Sequence, residues 1–420
     1  SVDSYPEPVD TYPVELSLSY LNSLIGKEIP ADEVVAILRS LEIGVENVPG
    51  NDDLLKLAVP TYRVDVRRPC DVVEEVLRVY GYNNVEYSTT VHSSLQFKTL
   101  TDAADDLQRL VSEQLNAQGF NEILNNSLTS KSYYEGLDLY PAEHCVELLN
   151  PLSSDLGAMR QTLLFGGLES VAHNVNRKAA DLMFYEFGNT YHRDPAAGPT
   201  ADAPLAPFKE RQRLALWMPG NTRAANWARP AEEASFFDLK GAVANILARL
   251  GISVGETVLS ATEGNNLYDA ALTVATRNGQ VLGYMGQVSR AILKKADIDR
   301  PVYYAELEWA SLVKLAAKKK VTFAPLPKTQ PVKRDLALLL DSKVSMEQVE
   351  NAVRQAERKL LRGVELFDVY EGKNLPAGKK SYAIAITLQD FDKTLQDKQI
   401  EQSMSRIVAS LEKNLGAQLR

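Results

Sequence analysis

Four carboxylates near the start of the chain stand where they could act together. Asp71, Glu74 and Glu75 crowd the first turn of a helix that begins after Pro69, and Asp65 lies just upstream. Two chemistries follow from that spacing. The first is local. Asp71-x-x-Glu74 has the form of a capping box, and acids at a helix N-terminus are each stabilised by about 0.3–1 kcal/mol through the helix dipole. Glu74 also precedes Arg78 by four residues, a favourable helical pair. The second is metal binding. Four carboxylates drawn together repel one another, and a magnesium ion, which takes oxygen ligands, relieves that repulsion. Spacing alone leaves both open.

No other motif of a catalytic kind stands out. There is no Walker A loop, and Gly166-Gly167 is a lone pair. His92, His144, His173 and His192 are scattered, with no H-x-x-x-H pair. Ser153-Ser154-Asp155 has no histidine beside it in sequence and reads as a turn with capping potential. Cys70 and Cys145 make no metal-ligand spacing and read as two reduced thiols.

The elements that must position these residues follow from periodicity. With 420 residues, 45% hydrophobic and 24% charged, the chain is long enough for several domains with real cores. No apolar run approaches the roughly 20 residues that span a bilayer. No export signal is read at the start, and a cytoplasmic location is expected. The net charge of −9 argues against indiscriminate polyanion binding. The charge is uneven, however. Residues 1–100 hold 8 Lys+Arg and 16 Asp+Glu, whereas residues 321–420 hold 16 and 13, which makes the last hundred residues the better candidate for contact with nucleic acid.

Residues 1–12 read as a loose lead-in, Val14 to Leu18 as a short strand, and Ser17 to Leu24 as a helix stopped by Gly26. Pro30 and Ala31 open a second helix, Gly44 to Gly50 is a turn, and Leu54 to Val59 and Arg63 to Val66 are strands. Val72, Val73, Val76, Leu77 and Tyr80 then form the buried stripe of the acidic helix, with Gly81 as its left-handed stop. Further on, a helix from Thr101 or Asp102 ends at Gly119, and a strand covers Phe120 to Ser127. A helix over about 162–177 precedes a strand from Met183 that continues to Asp194. A Pro/Ala-rich loop leads to a return strand at Arg213 to Met218, and another helix runs from Phe236 to about Leu250. Residues 323–331, F-A-P-L-P-K-T-Q-P, mark a linker. The remainder alternates strand (Val332–Leu340), helix (Ser345–Leu360), two strands (Val364–Tyr370 and Ser381–Leu388), helix from Asp397, and a last short strand after Gly416. This is the ferredoxin-like β-α-β-β-α-β order.

The motifs also carry a resemblance. Asp65, Asp71, Glu74 and Glu75, followed by Tyr80-Gly81-Tyr82, resemble the magnesium-binding domain of the β subunit of bacterial phenylalanyl-tRNA synthetase, in a small mixed domain similar to winged DNA-binding modules. N-P-L-S at 150–153, M-R at 159–160, F-Y-E-F-G at 184–188 and F-F-D-L-K-G at 236–241 resemble the class II synthetase-like antiparallel-sheet module of the same family. K-R-D-L-A-L at 333–338, L-F-D-V-Y-E-G at 366–372, G-K-K-S-Y at 378–382 and K-T-L-Q-D at 393–397 resemble the ferredoxin-fold anticodon-binding domain.

The resemblance implies an α+β chain of three domains: 1–92 magnesium-binding and winged-helix-like, 93–322 catalytic-like but inactive, and 323–420 anticodon-binding. It implies that the four acids hold Mg2+ shared with an α subunit in an (αβ)2 heterotetramer. That assembly joins phenylalanine to tRNA-Phe using ATP. No catalytic residue is expected in this chain. One arginine of an ATP grip remains, in Tyr191-His-Arg193-Asp194, but the return strand R-L-A-L-W-M brings no acid and Tyr304-Ala-Glu-Leu-Glu-Trp309 lacks the Gly-x-Gly-x-x-Arg of an active module, so ATP lacks one of its two main clamps; activity of this chain alone would return attention to Arg160 and Arg193. Where the family usually carries a His-Pro-Gly-like stretch, this chain reads Gly264-Asn-Asn-Leu-Tyr268. Its OB-fold and editing domains have no counterpart in this stretch, so no editing is expected. For tRNA contact, Lys333, Arg334, Lys373, Lys379, Lys380, Lys393 and Arg420 supply charge, and Tyr370 and Phe391 could stack on bases. The alternative is a stand-alone, non-enzymatic tRNA- or protein-binding scaffold derived from such a subunit.

Overall fold

Polar–apolar alternation at the start of the chain produces β1 (Tyr12–Ser17), which buries Val14 and Leu16. The computed structural model describes residues 2–87, 90, 93–94, 99–262, 265–319, 322–372 and 374–420; His92, Gly264 and Lys373 lie outside the described residues. Two compact units are present, Ser1–Thr99 and Leu100–Arg420.

In the first unit, the Ser17 hydroxyl caps α1 (Leu18–Ile25) by accepting from the Tyr20 N–H, and Gly26, at φ +80°, ends it. α2 (Ala31–Ser40) follows Pro30. β2 (Gly44–Val48) and β3 (Asn51–Val59) complete an antiparallel sheet in the order β1-β3-β2. α3 (Pro69–Tyr80) starts on Pro69, which tolerates the first helical turn because its missing N–H would be unpaired there. Val72, Val73 and Val76 of α3 join Leu16, Leu38 and Leu57 in one core. Two local expectations are corrected. The stretch taken as a turn contains β2, because Gly50 at φ +79° lets the chain reverse within the last residues and pair back on β3. Arg63 to Val66 forms turns instead of a strand, with Arg63 N–H donating to Pro60 O and Val66 N–H to Arg63 O.

In the second unit, α4 (Leu100–Ala117) leads to β4 (Asn121–Glu122). The expected strand from Phe120 to Ser127 is shorter than its sequence suggests. After β4 the chain leaves for a small sheet made of β5 (Leu128–Thr129), β6 (Val146–Glu147) and β7 (Ala158–Met159). Then come α5 (Leu164–Val175), β8 (Phe184–Arg193), β9 (Phe208–Pro219), the hairpin of β10 (Asn221–Arg223) and β11 (Glu232–Glu233), and α6 (Phe236–Arg249). β12 (Thr257–Ala261), β13 (Tyr268–Thr276), β14 (Val281–Val288), α7 (Arg290–Lys295), β15 (Val302–Glu308) and α8 (Trp309–Ala316) complete it. Seven strands make one sheet in the order β12-β13-β14-β15-β9-β8-β4, antiparallel except for the β4–β8 pair.

Both faces of this sheet are covered. Leu214, Leu216 and Met218 of β9 point to a core built with α4, α6 and α8, while Ala215 and Trp217 point to a second core built with α5 and the 134–168 region. That is why β9 reads as a continuous apolar run. Gly167 of α5 belongs to this packing. A Cβ on Gly167 would stand 2.0 Å from the Trp217 ring, so only glycine lets the helix lie that close.

The end of the chain forms β16 (Val332–Asp341), α9 (Met346–Ala356), β17 (Leu361–Tyr370), β18 (Lys379–Leu388), α10 (Asp397–Leu415) and β19 (Gln418–Leu419). Its sheet order, β17-β18-β16-β19, is the ferredoxin-like one. The register of edge strand β17 shifts between Leu366 and Asp368, leaving Phe367 as an extra, exposed residue. α9 stops short of Leu360 because Glu357 turns inward. Its carboxylate accepts from the N–H groups of Lys359 and Leu360, from Ser403 Oγ at 2.8 Å and from Arg406. Among the described residues, no helix is long and apolar enough to cross a membrane.

Gly167→Ala is expected to destabilise the chain by about 1–3 kcal/mol or more through overpacking against Trp217. Thermal unfolding measures this, and an unchanged midpoint would mean that α5 shifts away freely.

Candidate functional site

Of the four acids, arginines engage Asp71 and Glu75, while Asp65 and Glu74 have no ion pair among the described residues. Asp71 Oδ2 accepts from the backbone N–H groups of Arg67 (3.1 Å) and Arg68 (2.8 Å), and its Oδ1 accepts from Arg68 Nη2 at 2.8 Å. The Arg68 guanidinium and these N–H bonds hold the Asp71 carboxyl well below the usual carboxylate range, against the opposing effect of burial. Asp71 is thus the reciprocal acid at the third position of α3, and its partner is Arg68, not Glu74. Glu75 Oε2 accepts from Arg63 Nη1 at 2.7 Å and from Arg78 Nη2 at 2.9 Å. Arg78 is the main cause of its lowered pKa, with burial opposing and Arg63 assisting. Asp65 and Glu74 are exposed.

Among the described residues no three His, Cys, Asp or Glu side chains are grouped so as to hold a metal ion. A magnesium ion needs six oxygens at about 2.0–2.1 Å. With two of the four carboxylates held by guanidinium groups, the acids do not fit a cation by themselves.

On the large sheet, polar side chains line one buried face. Glu186 on β8 is fully buried and meets Arg160 Nη1 at 2.7 Å, while Asn125 Nδ2 donates to its other oxygen at 2.7 Å. Arg160 also donates to Asn189 O and Asn125 O. A Cβ on Gly188 would lie 2.3 Å from the Arg160 guanidinium, so the glycine of F-Y-E-F-G makes room for it. Glu306 on β15 accepts from Thr162 Oγ1, from Tyr304 OH and from the Leu163 N–H at 3.1 Å. Arg213 on β9 pairs with Glu308 at 2.6 Å and lies 3.7 Å from Glu306. Burial pushes the hydroxyls of Tyr140, Tyr268 and Tyr304 up. His192 is pushed down to about 4, by burial first and then by Arg213 and its other cationic neighbours, so it stays neutral. Arg193, at the end of β8, is exposed.

The ferredoxin-like unit separates the expected cations. Residues opposite one another in a ladder share a face. The register therefore puts Lys333, Asp335, Ala337 and Asp341 of β16 with Lys379, Ala383 and Ala385 of β18 and with Glu365 and Asp368 of β17. This face carries more acids than cations, and Lys333 is held by Glu365 at 2.7 Å. Lys380 is buried, 7% exposed, with its ammonium 4.6 Å from the Tyr382 ring centre. Burial leaves it unsuited to reach a phosphate. Arg334, Lys393 and Arg420 are exposed and have no ion pair among the described residues. The starts of β16 and β17 and the end of β18 coincide in register, with Val332 and Leu361 both opposite Leu388. At that end Arg362 stacks at 4.6 Å on Phe391, which is 45% exposed, and Lys359 and Lys393 lower the pKa of Asp390 after its backbone hydrogen bonds. Tyr370 lies at the other end of β17.

Comparison with known proteins places these features in a family. Residues 14–82 match the tRNA synthetase B5 domain, residues 327–420 match the ferredoxin-fold anticodon binding domain, and residues 88–309, more than half the chain, match the phenylalanyl tRNA synthetase beta chain CLM domain. The chain belongs to the phenylalanyl-tRNA synthetase β-chain family. It is 50% identical over 413 residues to the phenylalanine–tRNA ligase beta subunit of Bacteroides fragilis (strain YCH46), covering 98% of this chain and 50% of that one. Against the beta subunit of Porphyromonas gingivalis, identity is 50% over 418 residues, covering 100% and 50%. Against that of Desulfotalea psychrophila it is 33% over 434 residues, covering 100% and 52%. The chain spans about half the length of the curated relatives it matches.

Several residues that shape the sites of this β-chain family member escaped the sequence reading. Glu186 was visible as the single acid of F-Y-E-F-G, and Glu306 as the first of two acids in an otherwise apolar strand, patterns that signal a buried partner. Arg213 was visible only as the first residue of a return strand. Arg362 had no local signal, since its partner Phe391 lies in the loop after β18.

Glu75 generates a pH prediction. Its lowered pKa stabilises the fold fully above the ordinary value of 4.5, and that contribution is lost as pH falls through the lower folded value. Glu75→Gln, which loses hydrogen bonds to two guanidinium groups, is expected to cost about 1–3 kcal/mol at pH 7. Denaturant unfolding should show the gap to the parent narrowing below about pH 4.5. A gap independent of pH would mean that the arginine contacts do not stabilise the charged form.

Proposed function

We propose that this chain is a non-catalytic portion of the β subunit of a cytoplasmic phenylalanine–tRNA ligase, organised as residues 1–92, 93–322 and 323–420. It supports a catalytic α subunit within an (αβ)2 assembly that charges tRNA-Phe at the expense of ATP. The observation that carries this reading is the Arg160–Glu186 pair. Arg160 is buried against a carboxylate of its own module, which leaves only the exposed Arg193, at the end of β8, of the two arginines near an ATP grip. The surrounding Thr162, Tyr304 and Glu306 are likewise engaged with one another. Chemistry that stabilises charge on a transferring phosphoryl group needs donors free to meet it. The four acids, Asp65, Asp71, Glu74 and Glu75, support shared magnesium only in the assembled enzyme, where the arginines holding Asp71 and Glu75 must release them and the α subunit completes the ligand set.

Phenylalanine-dependent ATP–pyrophosphate exchange tests this, with the chain alone, the α subunit alone and both together. Activity is expected only in the mixture, and metal analysis of the same samples should find retained magnesium only there. Exchange by this chain alone would overturn the reading.

The tRNA contact is proposed at the end of the ferredoxin-like sheet marked by Arg334, Arg362, Phe391 and Lys393, rather than on its acidic face. Phosphates are drawn to the unpaired cations, and an exposed ring presents a surface for an unpaired base. Phe391→Ala should weaken tRNA-Phe binding by about 1–3 kcal/mol, the effect of losing one stacking platform. Lys380→Ala should leave affinity unchanged. Gel-shift titration separates the two, and equal weakening would move the tRNA contact elsewhere.

A further inference from the structure

α7 and the segment after it wall a cleft of about 520 Å³, within the size range that small ligands occupy. Three cations line it, Arg290, Lys294 and Arg300, together with two carboxylates, Asp297 and Asp299. Lys294 lies in the last turn of α7, where the helix dipole favours a positive charge. The other two have no such account. Arg290 is the first residue of α7, directly after the Ser289 cap, at the end where a cation is disfavoured. No carboxylate pairs with it among the described residues. Arg300 buries its Nε without an acceptor. The carboxylate nearest to it, Asp299 Oδ1, is 3.6 Å away on a side chain that stands mostly in solvent. Leu293 and Ile298, both buried, add apolar lining. Gln287 adds a neutral amide at the wall.

With three cations against two carboxylates, the lining keeps one positive charge in excess, and an Arg300 Nε without a hydrogen-bond acceptor and a cation at the unfavourable end of a helix are where an external anion would balance it. The apolar lining suits a ligand with a planar or apolar body as well. We propose that this cleft binds a phosphate ester, holding the phosphate between Arg290 and Arg300 and laying the attached nucleoside on Leu293 and Ile298. A free nucleotide and a nucleotide within an RNA strand present the same chemistry here. The proposal stands on α7 and its neighbours alone and does not depend on how the ferredoxin-like unit meets tRNA.

The test uses the whole chain and the double variant Arg290→Ala/Lys294→Ala. Both side chains are exposed, and thermal unfolding verifies that the fold is retained. Isothermal titration with AMP probes the free-nucleotide source, and filter binding of tRNA-Phe across a salt series probes the RNA source. Saturable AMP binding that weakens about tenfold in the variant supports the site and assigns it to a free nucleotide. Absence of AMP binding, with tRNA affinity down about tenfold and the salt slope reduced by about one for each phosphate no longer neutralised, supports the site and assigns it to RNA. AMP binding of equal strength in both proteins overturns the proposal, as does absence of AMP binding together with unchanged tRNA binding.

Discussion

Glu186 carries a carboxylate into a sheet that is buried on both faces, and the module around it depends on Arg160 meeting that charge. A buried ion without a partner would cost several kcal/mol, so partner, room and orientation have to arrive together. Arg160 comes from the loop before α5, Gly188 leaves space for its guanidinium, and Asn125 takes the second carboxylate oxygen. Two separate stretches of chain are thereby fixed against one strand. The same logic repeats at Glu306, where Thr162 and the Leu163 N–H reach in from that same loop.

Much of the fold was legible because it rests on periodicity and punctuation. The stripe of Val72, Val73 and Val76, the alternation of β16 and the long amphipathic α10 each declare their element locally, and α3 and α10 end where glycine allows a turn. What was not legible is set by tertiary contact. β2 reads as a turn because neither of its faces is deeply buried, and only its pairing with β3 makes it a strand. α9 is cut short by an acid whose partners, Ser403 and Arg406, lie more than forty residues away.

The sites show the same division. The acids of α3 were visible as types, but the arginines that engage them come from the turn at residues 63–68 and from the far end of the helix. Likewise, the lysines near the C-terminus were visible as charge. Which of them faces acids, which is buried on a tyrosine and which is free follows only from register. Composition locates a basic region, and strand pairing decides which part of it an anion can approach.

The slip at Phe367 has a consequence for how this chain behaves in company. β17 is the outer strand of its sheet and carries an apolar run, Leu366, Phe367, Val369 and Tyr370, in the open. A straight edge of that composition would be a template on which a neighbouring copy could add its own strand. The bulge breaks the even spacing of the free peptide groups, and Glu365 and Asp368 place charge on both sides of it. The edge is therefore a poor docking rail for another β-strand, and the unit can display those side chains without seeding aggregates as it emerges from the ribosome.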